Sequence, residues 1–404
     1  MAPPLADKEL PALHSALDAR YVARRWAEQW PWLGEILDCV RRDTKYLPKT
    51  HCLVAYELLV RSPGGPPRSH FGVVEVTPTG LRHRLAADDP GLPGLVALCD
   101  PGAVGARCAQ LMPVEECEVT IVRYKPGARC VLRIDCTGPK GVRLFAKAFH
   151  DGAREQAETL ARLHAHALDD PGLPGFATPV ALWDDWAAIV QCEVAGTPLH
   201  AHLNGPDRAP SFHACGRHLA GLHDATIDGP RQRHSEDAAE LATCTSVIAQ
   251  ADAALADRFA TLTARLEDVE TDLVPSHGAL RTDAFLLPAG SRPVLIDLDG
   301  FCEADPARDL GNLLAYLDWR AIRHPRDRHL LRLLADAFLQ GYSQVRALPC
   351  PERLGRYEAA SLLKIVGRRY RSLAFTEWRL VPQLMDLAIG LLEGRARENT
   401  SRNA

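Results

Sequence analysis

No run of about 18 consecutive apolar residues occurs anywhere in the 404-residue chain, so a membrane-spanning helix is not expected. The sequence also lacks a basic surplus: 47 Lys+Arg stand against 51 Asp+Glu, a formal net charge of −4. That balance speaks against a protein that coats nucleic acid, whose domains are usually strongly basic. The opening Met1-Ala2-Pro3-Pro4-Leu5-Ala6-Asp7-Lys8 has no basic segment leading into an apolar core, so no secretory leader is expected. Cys-x-x-Cys pairs are absent as well. The 12 cysteines scatter from Cys39 to Cys350, and the nearest neighbours, Cys130 and Cys136, do not have zinc-ligand spacing. Buried free thiols in a reducing cytoplasm are the expectation, with neither nucleic acid nor membrane as a partner.

What is present is ordinary globular material, 47% hydrophobic and 24% charged, over a length that suggests two or three packed units. Residues 8–41 carry apolar side chains at three- and four-residue intervals and read as helical. Pro/Gly-rich breaks at 62–68 and 89–94 bracket a β-like stretch. Residues 117–149 alternate apolar and polar around two turns and read as three antiparallel strands. A helix over 153–166 and a strand over 187–193 follow. Beyond Gly196 the pattern is mostly helical (210–226, 234–268, 307–322, 325–347, 352–395), interrupted by a short β segment at 284–299. A small sheet-rich part followed by a larger helical part is an α+β architecture of two lobes.

The first half contains an internal similarity. The stretch from Lys45 to Val54 lines up with that from Arg123 to Leu132, and Tyr46, Pro48 and Cys52 recur as Tyr124, Pro126 and Cys130, an offset of 78. Each copy leads into a further apolar strand, 71–76 in the first and 144–149 in the second. A strand–turn–strand unit present twice is expected, with Val73 or Val74 answering to Lys147, so that the first copy carries no equivalent lysine.

The chemistry concentrates in residues 277–312. Ser276-His277-Gly278-Ala279-Leu280-Arg281-Thr282-Asp283-Ala284 leads into an apolar strand and a turn. Val294-Leu295-Ile296-Asp297-Leu298-Asp299-Gly300 follows, and then Asp305-Pro306-Ala307-Arg308-Asp309-Leu310. Strand alternation places Asp297 and Asp299 on one face, where two carboxylates either hold a hard cation such as Mg²⁺ or serve as plain surface acids. Arg281 is expected to pair with a nearby acid; its guanidinium also suits a phosphate or carboxylate ligand.

The order and spacing of these segments resemble the aminoglycoside phosphotransferase and choline kinase family, which has a protein-kinase-like fold. The family's pattern is H-G-D-x-x-x-x-N, then an apolar strand ending in Asp, then G-D-P-x-x-D-L. His277 and Gly278 match it, as do Asp297, Asp305-Pro306 and Asp309-Leu310. Lys147, in Leu144-Phe145-Ala146-Lys147-Ala148-Phe149, stands like the family's nucleotide-binding lysine. Val190-Gln191-Cys192-Glu193-Val194 is similar to its hinge, and Tyr124-Lys125-Pro126-Gly127 stands where the family has its phosphate-covering turn. The likeness spans about residues 116–395. It divides the chain into an extra N-terminal α/β module (1–115), a β-rich N-lobe (116–190) and a helical C-lobe (191–404) containing the catalytic-loop region 277–312.

The resemblance implies binding of ATP and Mg²⁺. Lys147, Gln191, Glu193 and Val194 would hold the nucleotide, Glu155 or Glu158 would partner the lysine (the family register falls nearer Gln156), and Asp297 and Asp299 would hold the metal. His277 and Asp309 would keep the loop's shape. Two departures stand out. The family's general base is Ala279 here, and its second metal ligand is Ala284. A methyl group neither takes a proton nor coordinates a cation. Two functional expectations follow. The first is a pseudokinase or impaired phosphotransferase that retains ATP and binds a small molecule or a partner protein, within a biosynthetic pathway. The alternative is an active kinase acting on a hydroxyl of a small polar molecule or natural product, with Asp297, Asp299 or Asp283 covering the lost groups and Arg281 a further catalytic candidate beside Asp297 and Asp283. In that case Asp283 must reach across from Ala284, its neighbour on the opposite face if the strand has begun.

Overall fold

The computed structural model describes residues 7–139, 141–204, 207–232, 234–266 and 272–394. The chain divides into two compact units. Residues 1–158, 178–193 and 371–373 make the first, and residues 159–177, 194–370 and 374–404 make the second. Among the described residues no helix is long and apolar enough to cross a membrane.

The first unit opens with helices α1 (Leu13–Leu17) and α2 (Ala19–Gln29), the latter capped by the Asp18 side chain, which accepts from Arg20 and Tyr21 N–H. The helix expected over 8–41 ends there. Gly34 holds φ +107°, and a Cβ on it would fall 2.4 Å from the Arg61 carbonyl oxygen. The chain continues as strand β1 (Glu35–Leu47). It lies at the edge of an antiparallel sheet with β2 (His51–Arg61), β3 (Pro67–Thr77) and β4 (Gly80–Leu85), in the order β1-β2-β3-β4. As an edge strand it buries only Thr44 and Tyr46, so it has no clean period of two to set against the helical reading.

Helices α3 (Leu95–Leu98) and α4 (Pro101–Cys108) lead to a second sheet. Strands β5 (Cys117–Lys125), β6 (Arg129–Cys136) and β7 (Val142–Phe149) are the three expected from the alternation. Helix α5 (Ala153–Asp169) and strand β8 (Gly175–Phe176) precede β9 (Pro179–Trp183) and β10 (Ala188–Cys192), and the sheet order is β5-β6-β7-β10-β9.

The inferred duplication is present in the geometry. Tyr46 pairs with Cys52 across β1–β2, and Tyr124 pairs with Cys130 across β5–β6. The Tyr46 hydroxyl and the Lys49 N–H both donate to Asp7 at 2.8 Å; the Tyr124 hydroxyl and the Gly127 N–H donate to Asp89 at 2.6 and 2.7 Å. Lys49 and Gly127 both hold positive φ, the turn conformation that presents this N–H. The carboxylates belong to a longer repeat: Asp7, Leu10, Pro11, Leu13, Asp18 and Val22 recur as Asp89, Leu92, Pro93, Leu95, Asp100 and Val104, an offset of 82. Asp100 caps α4 as Asp18 caps α2.

The ladder corrects one equivalence. Leu53 pairs with Glu75 as Val131 pairs with Lys147, so the first-copy counterpart of Lys147 is Glu75 rather than Val73 or Val74. Glu75 is held by Arg84 at 3.1 Å. Both copies share one core, in which Ala55, Phe71 and Val73 pack with Leu92, Leu95, Tyr124, Leu132 and Val190.

The second unit is mainly helical. A four-stranded sheet in the order β11-β13-β14-β8 joins β11 (Thr197–Pro198), β13 (Phe285–Leu287), β14 (Val294–Leu295) and β8, and β12 (Val274–Ser276) pairs with β15 (Cys302–Ala304). Helices α6 (Arg208–Asp224), α7 (His234–Ala249) and α8 (Ala253–Thr263) precede these strands. Helices α9 (Pro306–Arg323), α10 (Arg328–Ser343), α11 (Pro351–Arg371), α12 (Phe375–Trp378) and α13 (Val381–Leu392) follow. Glycines bring α6 and α10 together: a Cβ on Gly216 would fall 2.0 Å from the Phe338 oxygen, and one on Gly341 2.0 Å from the His213 oxygen. The strand expected over 294–299 stops at Leu295. Asp297 takes a left-handed backbone (φ 63°, ψ 49°) and Leu298–Gly300 form a 3₁₀ turn. Alternation therefore does not place Asp297 and Asp299 on one face.

Candidate active site

The loop after β12 is fixed by the first two turns of α9. Asp305 caps that helix, accepting from Ala307 N–H, and Pro306 occupies its first position. One turn in, the fully buried Asp309 accepts from the backbone N–H of His277 (2.7 Å) and of Gly278 (2.9 Å). Arg308 Nε donates to the Gly278 carbonyl at 3.0 Å, and Asn312 Nδ2 to that of Leu280 at 2.7 Å. His277 Nε2 donates to the Ile296 carbonyl at 2.9 Å, which ties the loop to the segment carrying Asp297. Gly278 is required where it stands: its φ is +78°, and a Cβ would fall 2.0 Å from the Gly300 oxygen.

Behind Asp309 the Tyr342 hydroxyl donates to His223 Nδ1 at 2.9 Å, and His223 Nε2 donates to Asp309 at 3.3 Å. Burial alone pushes the Asp309 carboxyl up. The His223 hydrogen bond, the His223 and His277 rings and the His277 N–H outweigh burial and hold it below its ordinary value. His277 and Asp309 therefore meet at the base of the loop.

The chemical end of the loop is unusual. Ala279 is exposed and Ala284 is buried. Arg281 lies between two acids, its Nη2 3.2 Å from Asp283 and 4.0 Å from Asp297, with its guanidinium 5.5 Å from the Tyr316 ring centre. The expected ion pair of Arg281 is thus present. Residues 282–284 form a turn ahead of β13, so strand alternation does not separate Asp283 from Ala284.

A charged network missed in the sequence continues from here. Arg368 donates to the Tyr316 hydroxyl at 2.7 Å and pairs with Glu240 at 3.6 Å. Lys364 pairs with Glu240 and Asp237, and Asp237 also takes the Arg308 guanidinium. Burial pushes the Asp237 carboxyl up, but the Arg308 and Lys364 contacts override it and hold it low. The available signal was the Asp237/Glu240 pair, three residues apart and hence on one helical face.

In the first unit, Lys147 on β7 is half-buried with Nζ 5.6 Å from the Phe149 ring centre. Ile189 pairs with Lys147 and Gln191 with Phe145. Glu155 and Glu158 are exposed on α5. Glu193 is bound by Arg143 at 3.2 Å, and the chain passes from the first unit to the second between Glu193 and Val194. The turn 126–128 has little left for a phosphate. Gly127 N–H is taken by Asp89, and Ala128 N–H by the Lys125 carbonyl at 3.1 Å. It is an ordinary hairpin turn in its bonding.

Residues 127–348, more than half of the chain, match the model of the phosphotransferase enzyme family. The chain belongs to this family. The matched stretch includes the loop from His277 to Ala284 and the acids Asp297, Asp305 and Asp309. Among solved structures, this phosphotransferase-family chain is similar to an amicoumacin kinase in complex with AMP-PNP and Ca²⁺, at 17% identity and a TM-score of 0.54, over 73% of this chain and 96% of that one. It is also similar to a spectinomycin phosphotransferase (12%, TM-score 0.49, 72% and 98%). A choline kinase from Streptococcus pneumoniae gives 15% identity and a TM-score of 0.47 over 73% and 99%. The likeness to the first establishes the protein-kinase-like fold. No curated protein matches the sequence.

A Mg²⁺-class ion takes oxygen ligands in near-octahedral geometry and keeps several waters or phosphate oxygens. Asp297 offers it one carboxylate, next to the Arg281 cation. Ala284, where the sequence resemblance leads one to expect a second ligand, presents a buried methyl that cannot coordinate a cation. The acid at Asp297 fits such an ion.

Proposed function

We propose that this chain is a nucleotide-binding pseudokinase of the phosphotransferase family, in which transfer to an alcohol is strongly impaired. The observation that carries the reading is the loop itself. Its scaffold is held by hydrogen bonds to Asp309 and from Arg308 and Asn312, while the position that would accept the substrate proton is the exposed methyl of Ala279. Loss of a general base alone removes roughly 10²–10⁴-fold in rate. The nearest acid in the loop, Asp283, is engaged by Arg281. Phosphoryl transfer depends on positioning and charge neutralisation, so a loop kept in shape without its base suits binding better than turnover.

In this reading Lys147 and the strand carrying Gln191 bind nucleotide, and Asp297 is the residue that binds its metal. A bound Mg²⁺ supplies neutralisation of phosphate charge. Because the 126–128 turn has spent its N–H groups internally, affinity should be modest. The bound nucleotide serves recognition of a small polar molecule or a partner protein in a biosynthetic pathway. Calorimetric titration with ATP and Mg²⁺ tests this: binding that is lost in Lys147→Met supports it, and absence of any heat or thermal shift in the wild-type chain overturns it. The alternative, an active kinase for a small polar hydroxyl compound, draws support from the turn at 282–284. There Asp283 keeps 45% of its side chain exposed and is not directed by a strand.

A further inference from the structure

Three cysteines that are far apart in sequence meet in the first unit. Cys108 ends α4, Cys117 begins β5 and Cys136 ends β6, and Cys117 and Cys136 are directly opposed in the ladder. Their Sγ atoms all lie within 4.8 Å of one another, and those of Cys117 and Cys136 are 3.1 Å apart. Cys108 and Cys136 are buried and Cys117 is half-buried. A cavity of about 270 Å³ lined by Met112, Val114, Cys136 and Val142 opens beside the cluster.

The duplication shows that this is not simply what the fold requires. Helix α2 packs on β1 as α4 packs on β5. At the corresponding positions of the first copy stand Trp26 (offset 82) and the opposed pair Cys39 and Leu58 (offset 78), the same ladder register as Cys117 and Cys136. An indole, one thiol and an isobutyl group fill those places in the first copy, and three thiols fill them in the second.

We propose that Cys108, Cys117 and Cys136 form a three-thiolate site for a thiophilic d¹⁰ cation. Thiolates select soft ions over Mg²⁺ and Ca²⁺. With metal–sulfur bonds near 2.3 Å, three thiolates on one ion lie about 3.8–4.0 Å apart. The present spacings reach that range when the Cys117–Cys136 contact, now 3.1 Å, opens by about 1 Å and the Cys108 sulfur, within 4.8 Å of both, closes by no more than about 1 Å. Each thiol gives up its proton to solvent as its sulfur binds, and no electron is transferred. The ion pins the end of α4 to the β5–β6 hairpin, and the cavity leaves its remaining coordination position open.

The test uses Cd²⁺ as the probe, with the full, reduced chain carrying Cys350→Ser to remove the exposed thiol. One Cd²⁺ per chain with a thiolate-to-metal charge-transfer band is expected. Removing even an outer-sphere support typically costs 10–100-fold in affinity, so Cys117→Ser, which changes the half-buried member, should weaken binding by at least about 100-fold. Absence of the band, or a band unchanged in Cys117→Ser, overturns the proposal. So does a reduced chain that takes no Cd²⁺ and instead forms a Cys117–Cys136 disulfide with a peroxide oxidant. If Cys117→Ser does not fold, the wild-type chain decides: Cd²⁺ should shield these three cysteines from alkylation, read peptide by peptide, and no shielding refutes the site.

Discussion

Arg281→Met should raise the affinity of the site for a divalent cation. The guanidinium lies 4.0 Å from the Asp297 carboxylate, and both side chains are about one-quarter exposed (27% and 26%). Unit charges at that separation interact by about 1 kcal/mol in water and about 4 kcal/mol at an effective dielectric constant of 20. A half-buried, partly screened site lies between those limits, at about 2 kcal/mol. A cation approaching Asp297 meets a carboxylate already neutralised to that extent and is also repelled by Arg281. At about 1.4 kcal/mol per decade, removing the charge should tighten binding roughly 30-fold. Methionine keeps the length of the apolar stem, and Arg281→Lys should keep the affinity near the wild-type value. Mn²⁺ binding, followed by water-proton relaxation with a non-hydrolysable ATP analogue present, measures the effect. Equal Mn²⁺ affinity in wild type and Arg281→Met would refute the claim that Arg281 competes with metal for Asp297.

Three further outcomes follow from the same contacts. Asp309→Ala strands the His277 and Gly278 N–H groups and the His223 ring, and should cost about 3–5 kcal/mol, read as a lowered urea midpoint. Asp309 and Asp237 both titrate below the ordinary carboxylate value, so each contributes stability above the unfolded-state pKa near 4 and loses it as pH falls through the lower folded value. The melting temperature should therefore drop between about pH 5 and pH 2, and that drop should shrink in Asp237→Asn. The two alanines should respond differently to repair. Ala279→Asp places a carboxylate on an exposed position at little cost, whereas Ala284→Asn forces volume into a buried one and should destabilise by about 1–3 kcal/mol, measured by thermal melting.

Most of this was legible where local pattern and tertiary structure agree. The three strands over 117–149 alternate because one face packs on the shared core. The loop at 277–280 was readable because Asp309 lies one turn into a helix that announces itself with Asp305-Pro306. The misreadings have physical causes. Strand β1 sits at a sheet edge and buries two residues, so nothing in its sequence displays a period of two. The segment 294–299 is too short to show that Asp297 leaves the strand for a left-handed turn, a change that rests on the His277–Ile296 contact and the tight passage of Gly300 past Gly278. Glu75, not a valine, answers to Lys147, because ladder register rather than composition sets the equivalence. The thiol cluster was invisible because 9 and 19 residues separate its members, a spacing that only the β5–β6 pairing and the end of α4 bring together.

The central claim is that the loop keeps its architecture while lacking the group that takes the acceptor's proton. ATP consumption by the wild-type chain and by Ala279→Asp, each with a panel of small hydroxyl compounds and Mg²⁺, tests it most directly. Wild type should show no acceptor-dependent consumption, and Ala279→Asp should gain it with at least one compound. Sustained acceptor-dependent turnover by the wild-type chain, abolished by Asp283→Asn or Asp297→Ala, would contradict the account and identify an active kinase.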